Sequence, residues 1–92
     1  MAIDIFTGTS TVALPEALCQ ELAMRLAQFG APDAAERLLG HRSIRTEDKP
    51  VVREVLGRWL RTAGTDDFAS ELASLRRRLG RELENHWQTR RR

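Results

Sequence analysis

Phe68-Ala69-Ser70-Glu71-Leu72-Ala73-Ser74-Leu75-Arg76-Arg77-Arg78-Leu79-Gly80-Arg81-Glu82-Leu83 is the stretch whose reading decides the fold. On a wheel turning 100° per residue, Phe68, Leu72, Leu75, Leu79 and Leu83 share one arc about 80° wide. The spacing predicts an amphipathic helix from about Asp66 to Trp87, roughly 33 Å long at 1.5 Å per residue. Thr65 or Asp66 supplies the cap, and early acids followed by arginines suit the helix dipole. Ala69, Ala73 and Gly80 lie beside the leucine stripe, where their small size lets another helix approach closely.

Upstream, Val52, Val55, Leu56, Trp59, Leu60 and Ala63 make the buried arc of a third helix, with Trp59 near its centre. Pro50 falls in the first turn, Thr46 or Asp48 is its expected cap, and Gly64 stops it. Arg53, Arg58 and Arg61 fall outside the arc, and Glu54 precedes Arg58 by one turn in the favourable order. A first helix is expected from Pro15 to Phe29, burying Leu18, Leu22, Leu26 and Phe29 with Cys19 and Ala23 at the edge, and ending at Gly30. A short second helix runs from Pro32 to Leu39 on Ala35, Leu38 and Leu39, with Gly40 after it. Ile3 and Ile5 alternate with Asp4, Thr7-Gly8-Thr9-Ser10 turns, and Thr11 to Leu14 resumes, which reads as a β-hairpin. Residues 41–46 contain one apolar side chain, Ile44, and are read either as a loop or as a third strand at 43–45.

The expected architecture is therefore a small, mainly α, four-helix domain with an N-terminal β-hairpin. One domain spans 1–92, divided into the hairpin (1–14), a helical core (15–88) and a basic tail (89–92). A chain of 92 residues buries roughly 64% of its unfolded surface, enough for one core. The composition, 41% hydrophobic and 30% charged, is that of a globular domain rather than a disordered one. A single cysteine rules out an internal disulfide framework and a four-cysteine zinc site. No apolar run approaches about 18 residues and the N-terminus lacks signal-peptide character, so the expectation is a cytoplasmic protein that does not enter membranes.

Charge is segregated. Two arginines face five acids over 1–40, six bases face three acids over 41–65, three acids stand alone over 66–75, and seven arginines face two glutamates over 76–92. Arg77, Arg78, Arg81, Arg90 and Arg91 form the candidate site for an anion or nucleic acid, with Arg76 flanking the leucine stripe. Glu82 and Glu84 dilute this positive face, and no aromatic residues interleave it for base stacking. A solvated outer face explains the same pattern.

Leu39-Gly40-His41-Arg42 resembles the leucine-glycine-histidine segment of tyrosine recombinases, in which a histidine belongs to the phosphate-activating cluster and a tyrosine attacks. This chain has no tyrosine, so the nucleophile such an activity requires is missing. Gly30-Ala31-Pro32 is a short turn between helices, as in a helix-turn-helix. However, bulky Leu26 stands where the helices would cross, and Asp33 and Glu36 would face phosphates. Thr7 to Ser10 has one glycine and no lysine, which is too little for a phosphate loop. His41 and His86 lie far apart with no paired ligand spacing, and Cys19 reads as a small core hydrophobe.

No catalytic constellation, metal site or cofactor is expected, and the chain is read as non-enzymatic. The preferred reading is a protein-interaction or regulatory module. Leu79, Leu83 and Trp87, with small Ala73 and Gly80, are the candidate contacts with a partner protein or with a second copy in a homodimer. Nucleic-acid association through the arginines is the alternative. Trp87, near the chain end, is expected to matter much less to stability than Trp59.

Overall fold

The computed structural model describes residues 1–63 and 68–90, with side chains over 1–62 and 68–85. Strands β1 (Ala2–Phe6) and β2 (Thr11–Pro15) pair antiparallel, with Ile3 opposite Leu14 and Ile5 opposite Val12. The period-2 alternation sends these four apolar side chains to one face, where Ile5 and Leu14 are buried. The turn closes through the Thr7 N–H donating to the Ser10 carbonyl, at 2.8 Å. Gly8 has a φ of 94° there, a left-handed value that a side chain would resist. Pro15 ends the ladder, and its φ of −56° leads directly into helix α1 (Glu16–Phe29).

Helix α1 buries Leu18, Cys19, Leu22, Ala23 and Leu26 and stops at Gly30, whose φ is 101°. Helix α2 (Pro32–Gly40) starts on its proline and folds back on α1, burying Ala34, Ala35 and Leu38. Two expected core residues are on the outside. Leu39 is 52% exposed, because α2 turns small Ala34 toward α1 and thereby swings Leu39 away. Phe29 is 42% exposed; it lies at the end of α1, where its ring packs under the Arg58 guanidinium at 5.0 Å instead of entering the core.

The segment between α2 and the next helix meets the sheet at a single point. Phe6 donates its N–H to the Arg42 carbonyl and accepts from the Ile44 N–H, making one parallel bridge at Ser43. The third strand at 43–45 thus reduces to this bridge, which is enough to bury Ile44. A short 3-10 turn (Thr46–Asp48) follows without a side-chain cap. The Asp48 carboxylate is engaged instead by Arg37, whose Nε and Nη2 donate at 2.7 and 2.6 Å. This bidentate pair fixes α2 to the start of helix α3 (Lys49–Ala63) and holds the Arg37 pKa above its ordinary value.

Helix α3 buries Val52, Val55, Leu56 and Trp59 and packs along helix α4 (Ala69–Arg90), which buries Leu72, Leu75 and Leu79. Trp59 meets the Phe68 ring edge-on at 6.4 Å between centroids, and Arg25 lies 4.5 Å over its face. Helix α4 continues through Arg90, so Thr89 and Arg90 belong to the helix rather than to a tail. The expected stop at Gly64 and cap at Thr65 or Asp66 lie outside the described residues. The architecture is the expected one, a mainly α domain of four helices with an N-terminal hairpin.

Candidate functional site

A groove of about 1000 Å³ runs between the outer faces of α3 and α4. It is lined by Ala73 and Gly80 on α4, by Leu60 and Leu83, and by four arginines, Arg77 and Arg81 among them, against Glu54 and Glu84. Two glycines let the helices exchange arginines. A Cβ on Gly80 would stand 3.0 Å from Arg53 Cζ, and one on Gly57 would stand 3.2 Å from Arg76 Nε. Each guanidinium therefore lies flat on the backbone of the opposite helix, a contact that suits a planar, weakly hydrated cation. Arg53 Nε is buried and has no hydrogen-bond acceptor. A donor left in that condition costs free energy.

The structure brings together some of the residues that the sequence grouped. Ala73, Gly80 and Leu83 are half-buried and line the groove. Leu79 is fully buried at 0% exposure and is unavailable to a partner, contrary to expectation. The hairpin turn and the start of α3 reach along α4 as far as Glu82, so the helix does not project beyond the core at Leu79. Arg77 and Arg81 border the groove, and Arg78 donates from Nη1 to Ser10 Oγ at 3.1 Å. Arg77, Arg78 and Arg81 together line a second cavity of about 210 Å³ with Ser74, Glu82 and Asn85, so these three expected residues are brought together. The side chains of Trp87, Arg90 and Arg91, also expected at these sites, lie outside the described residues.

On the side of α4 toward the hairpin is a polar cluster that the sequence reading missed. Lys49 is 1% exposed as a residue, and its Nζ stands 3.1 Å from Glu82 Oε1. That contact is an ion pair, and Glu82 Oε1 has no hydrogen-bond partner. Glu82 Oε2 accepts from Thr7 Oγ1 at 3.1 Å and from Ser10 Oγ at 2.9 Å. One carboxylate thereby ties together the hairpin turn, the first turn of α3 and the middle of α4. Burial pushes the Glu82 carboxyl upward, but the neighbouring Thr9, Lys49, Ser10 and Thr7 outweigh it and leave the pKa below its usual 4.5.

Periodicity carried a signal for both charges. Extending the α3 wheel one turn back from Val52 places Lys49 inside the buried arc, and Glu82 falls about 20° beyond Leu75 at the edge of the α4 stripe. Charged residues on an apolar face are almost never fully buried unless paired, so these two belong together. Elsewhere, burial and then Glu16 raise the Cys19 thiol pKa, which keeps it protonated and unreactive. Among the described residues no group of three or more His, Cys, Asp or Glu side chains could hold a metal, and no helix is long and apolar enough to cross a membrane. No family model, curated protein or solved structure matches the chain.

Proposed function

We propose that this chain is a non-enzymatic interaction module that receives an acidic amphipathic helix of a partner protein in the α3–α4 groove. The observation that carries this reading is the α3–α4 groove itself, in which small and apolar residues are bordered by four arginines against two glutamates. Leu60 and Leu83 offer apolar contacts to such a helix, and Ala73 and Gly80 leave room for its backbone. Carboxylates on its flanks would pair with Arg77 and Arg81, steering association and fixing register. The groove lining carries Arg53, Arg76, Arg77 and Arg81 against Glu54 and Glu84, a positive balance that favours an acidic partner over a second copy.

A photo-crosslinking amino acid at position 73, introduced in the native host, tests this reading. The expected product is a protein whose crosslinked segment is an acidic amphipathic helix. Its purified form should bind the chain, with affinity at least tenfold weaker for Arg77→Glu/Arg81→Glu. Recovery of nucleic acid alone would overturn the reading.

Nucleic-acid binding is expected to be weak, because Arg78 already donates to Ser10 Oγ and Glu82 and Glu84 interrupt the positive face. On duplex DNA the Kd should be no tighter than roughly 10⁻⁶ M at physiological salt, weakening with a log–log slope near −0.9 per phosphate contacted. Nanomolar, sequence-selective binding in a gel-shift titration would reverse this ranking.

A further inference from the structure

The outer edge of β2 is unpaired, and its geometry is fixed by the rest of the hairpin. Phe6 directs its N–H and carbonyl away from β2, toward Arg42 and Ile44. Its partner Thr11 must therefore direct its own main-chain groups away from β1, because facing residues of an antiparallel pair share one type of site. The same alternation turns Ala13, opposite Asp4, outward as well. No backbone group of the described residues pairs with Thr11 or Ala13 on that side.

Thr11 and Ala13 are exposed along this edge. It forms one wall of a groove of about 370 Å³ whose other wall is α4, through Ser70, Glu71, Ser74 and Arg78. Glu71 is half-buried, and its Oε2 is buried without a hydrogen-bond partner. A strand edge facing a helix, with a carboxylate oxygen lacking a donor between them, has the elements of a strand-addition site. There main-chain hydrogen bonds hold an extended peptide and the helix selects its side chains.

We infer that the β2–α4 groove binds an extended peptide segment of another protein, which adds to β2 antiparallel and carries a lysine or arginine that pairs with Glu71. Thr11 and Ala13 would each exchange both main-chain hydrogen bonds with one peptide residue. Pro15, with no N–H, ends the ladder at that side. The unmet acceptor of Glu71 calls for a cationic donor, and Arg78, the other charged residue of the groove, already donates to Ser10 Oγ. The site is on the opposite side of α4 from the arginine groove and does not depend on it.

Selection of a displayed library of random decapeptides against the full chain provides the test. The expected consensus alternates β-branched residues with one fixed basic position. A selected peptide, titrated into isotope-labelled chain, should slow amide exchange at Thr11 and Ala13. Glu71→Gln, which preserves shape, should weaken binding at least tenfold, and Glu71→Lys should exchange the basic consensus position for an acidic one. Ala13→Pro removes an outward N–H that β1 does not use and should abolish binding while the remaining amide spectrum is retained. Failure to enrich any peptide would overturn the inference, as would a consensus indifferent to position 71 or peptides that perturb only the α3–α4 groove. Concentration-dependent protection of Thr11 and Ala13 without peptide would also overturn it, since it would identify a second copy as the occupant.

Discussion

Lys49→Met is expected to cost about 3–5 kcal/mol of stability, the usual effect of removing one partner from a buried ion pair. The Lys49 side chain is 2% exposed and that of Glu82 11%, so water cannot replace the lost ammonium. The Thr7 and Ser10 hydroxyls still donate to Glu82, which places the expectation toward the lower end. The double variant Lys49→Met/Glu82→Leu should recover most of the loss, because an apolar pair of similar volume is often as stable as the ion pair it replaces. Urea midpoints of the three proteins decide the matter. A single variant as stable as wild type would show that the network is not a structural anchor.

The same network has a pH signature. The folded pKa of Glu82 lies below its usual 4.5. Its contribution is therefore fully present above that value and is lost as the pH falls through the folded pKa. The wild type should lose stability on acidification more steeply than Lys49→Met/Glu82→Leu, which has no proton to take up at these positions. Parallel acid limbs for the two proteins would contradict the assignment.

Trp59→Ala is expected to cost about 3–5 kcal/mol, the range for emptying a buried aromatic site. Trp59 is 2% exposed and stands between the edge of Phe68 and the guanidinium of Arg25, so truncation removes packing on two sides. Trp87→Ala serves as the comparison and should be much milder. Urea melts in which Trp87→Ala is the costlier change would place the centre of the core elsewhere.

The leucine stripe of α4 and the valine–tryptophan arc of α3 were legible because an apolar residue at each turn has no other economical reading. The hairpin was equally plain, since alternation on both sides of Thr7-Gly8-Thr9-Ser10 leaves little else for that stretch to be. Leu39 was misread because adjacent leucines cannot both face one neighbour, and the choice fell to small Ala34, which propensity does not mark. Phe29 was assigned to the core by periodicity alone, whereas the partner of its ring, Arg58, comes from a different helix.

For the candidate site, Ala73, Gly80 and Leu83 were readable as a surface on one helix. The exchange of Arg53 and Arg76 across Gly80 and Gly57 was not readable, because it depends on the register of α3 against α4. The Lys49–Glu82 pair was within reach of the wheel but was obscured by the reading of Glu82 as a diluent of the arginines. The free edge of β2 depends on where α4 lies beside the hairpin, a long-range fact that no local pattern carries.

The most direct measurement of the proposed activity is an amide chemical-shift titration of the full chain with a synthetic amphipathic helix bearing leucines on one face and glutamates on its flanks. Contiguous shifts are expected along residues 50–60 of α3 and 73–84 of α4, weakening with added salt and absent in Arg77→Glu/Arg81→Glu. A peptide that leaves both helices unperturbed at millimolar concentration, or that shifts the charge-reversed variant equally, would contradict a docking role for the α3–α4 groove.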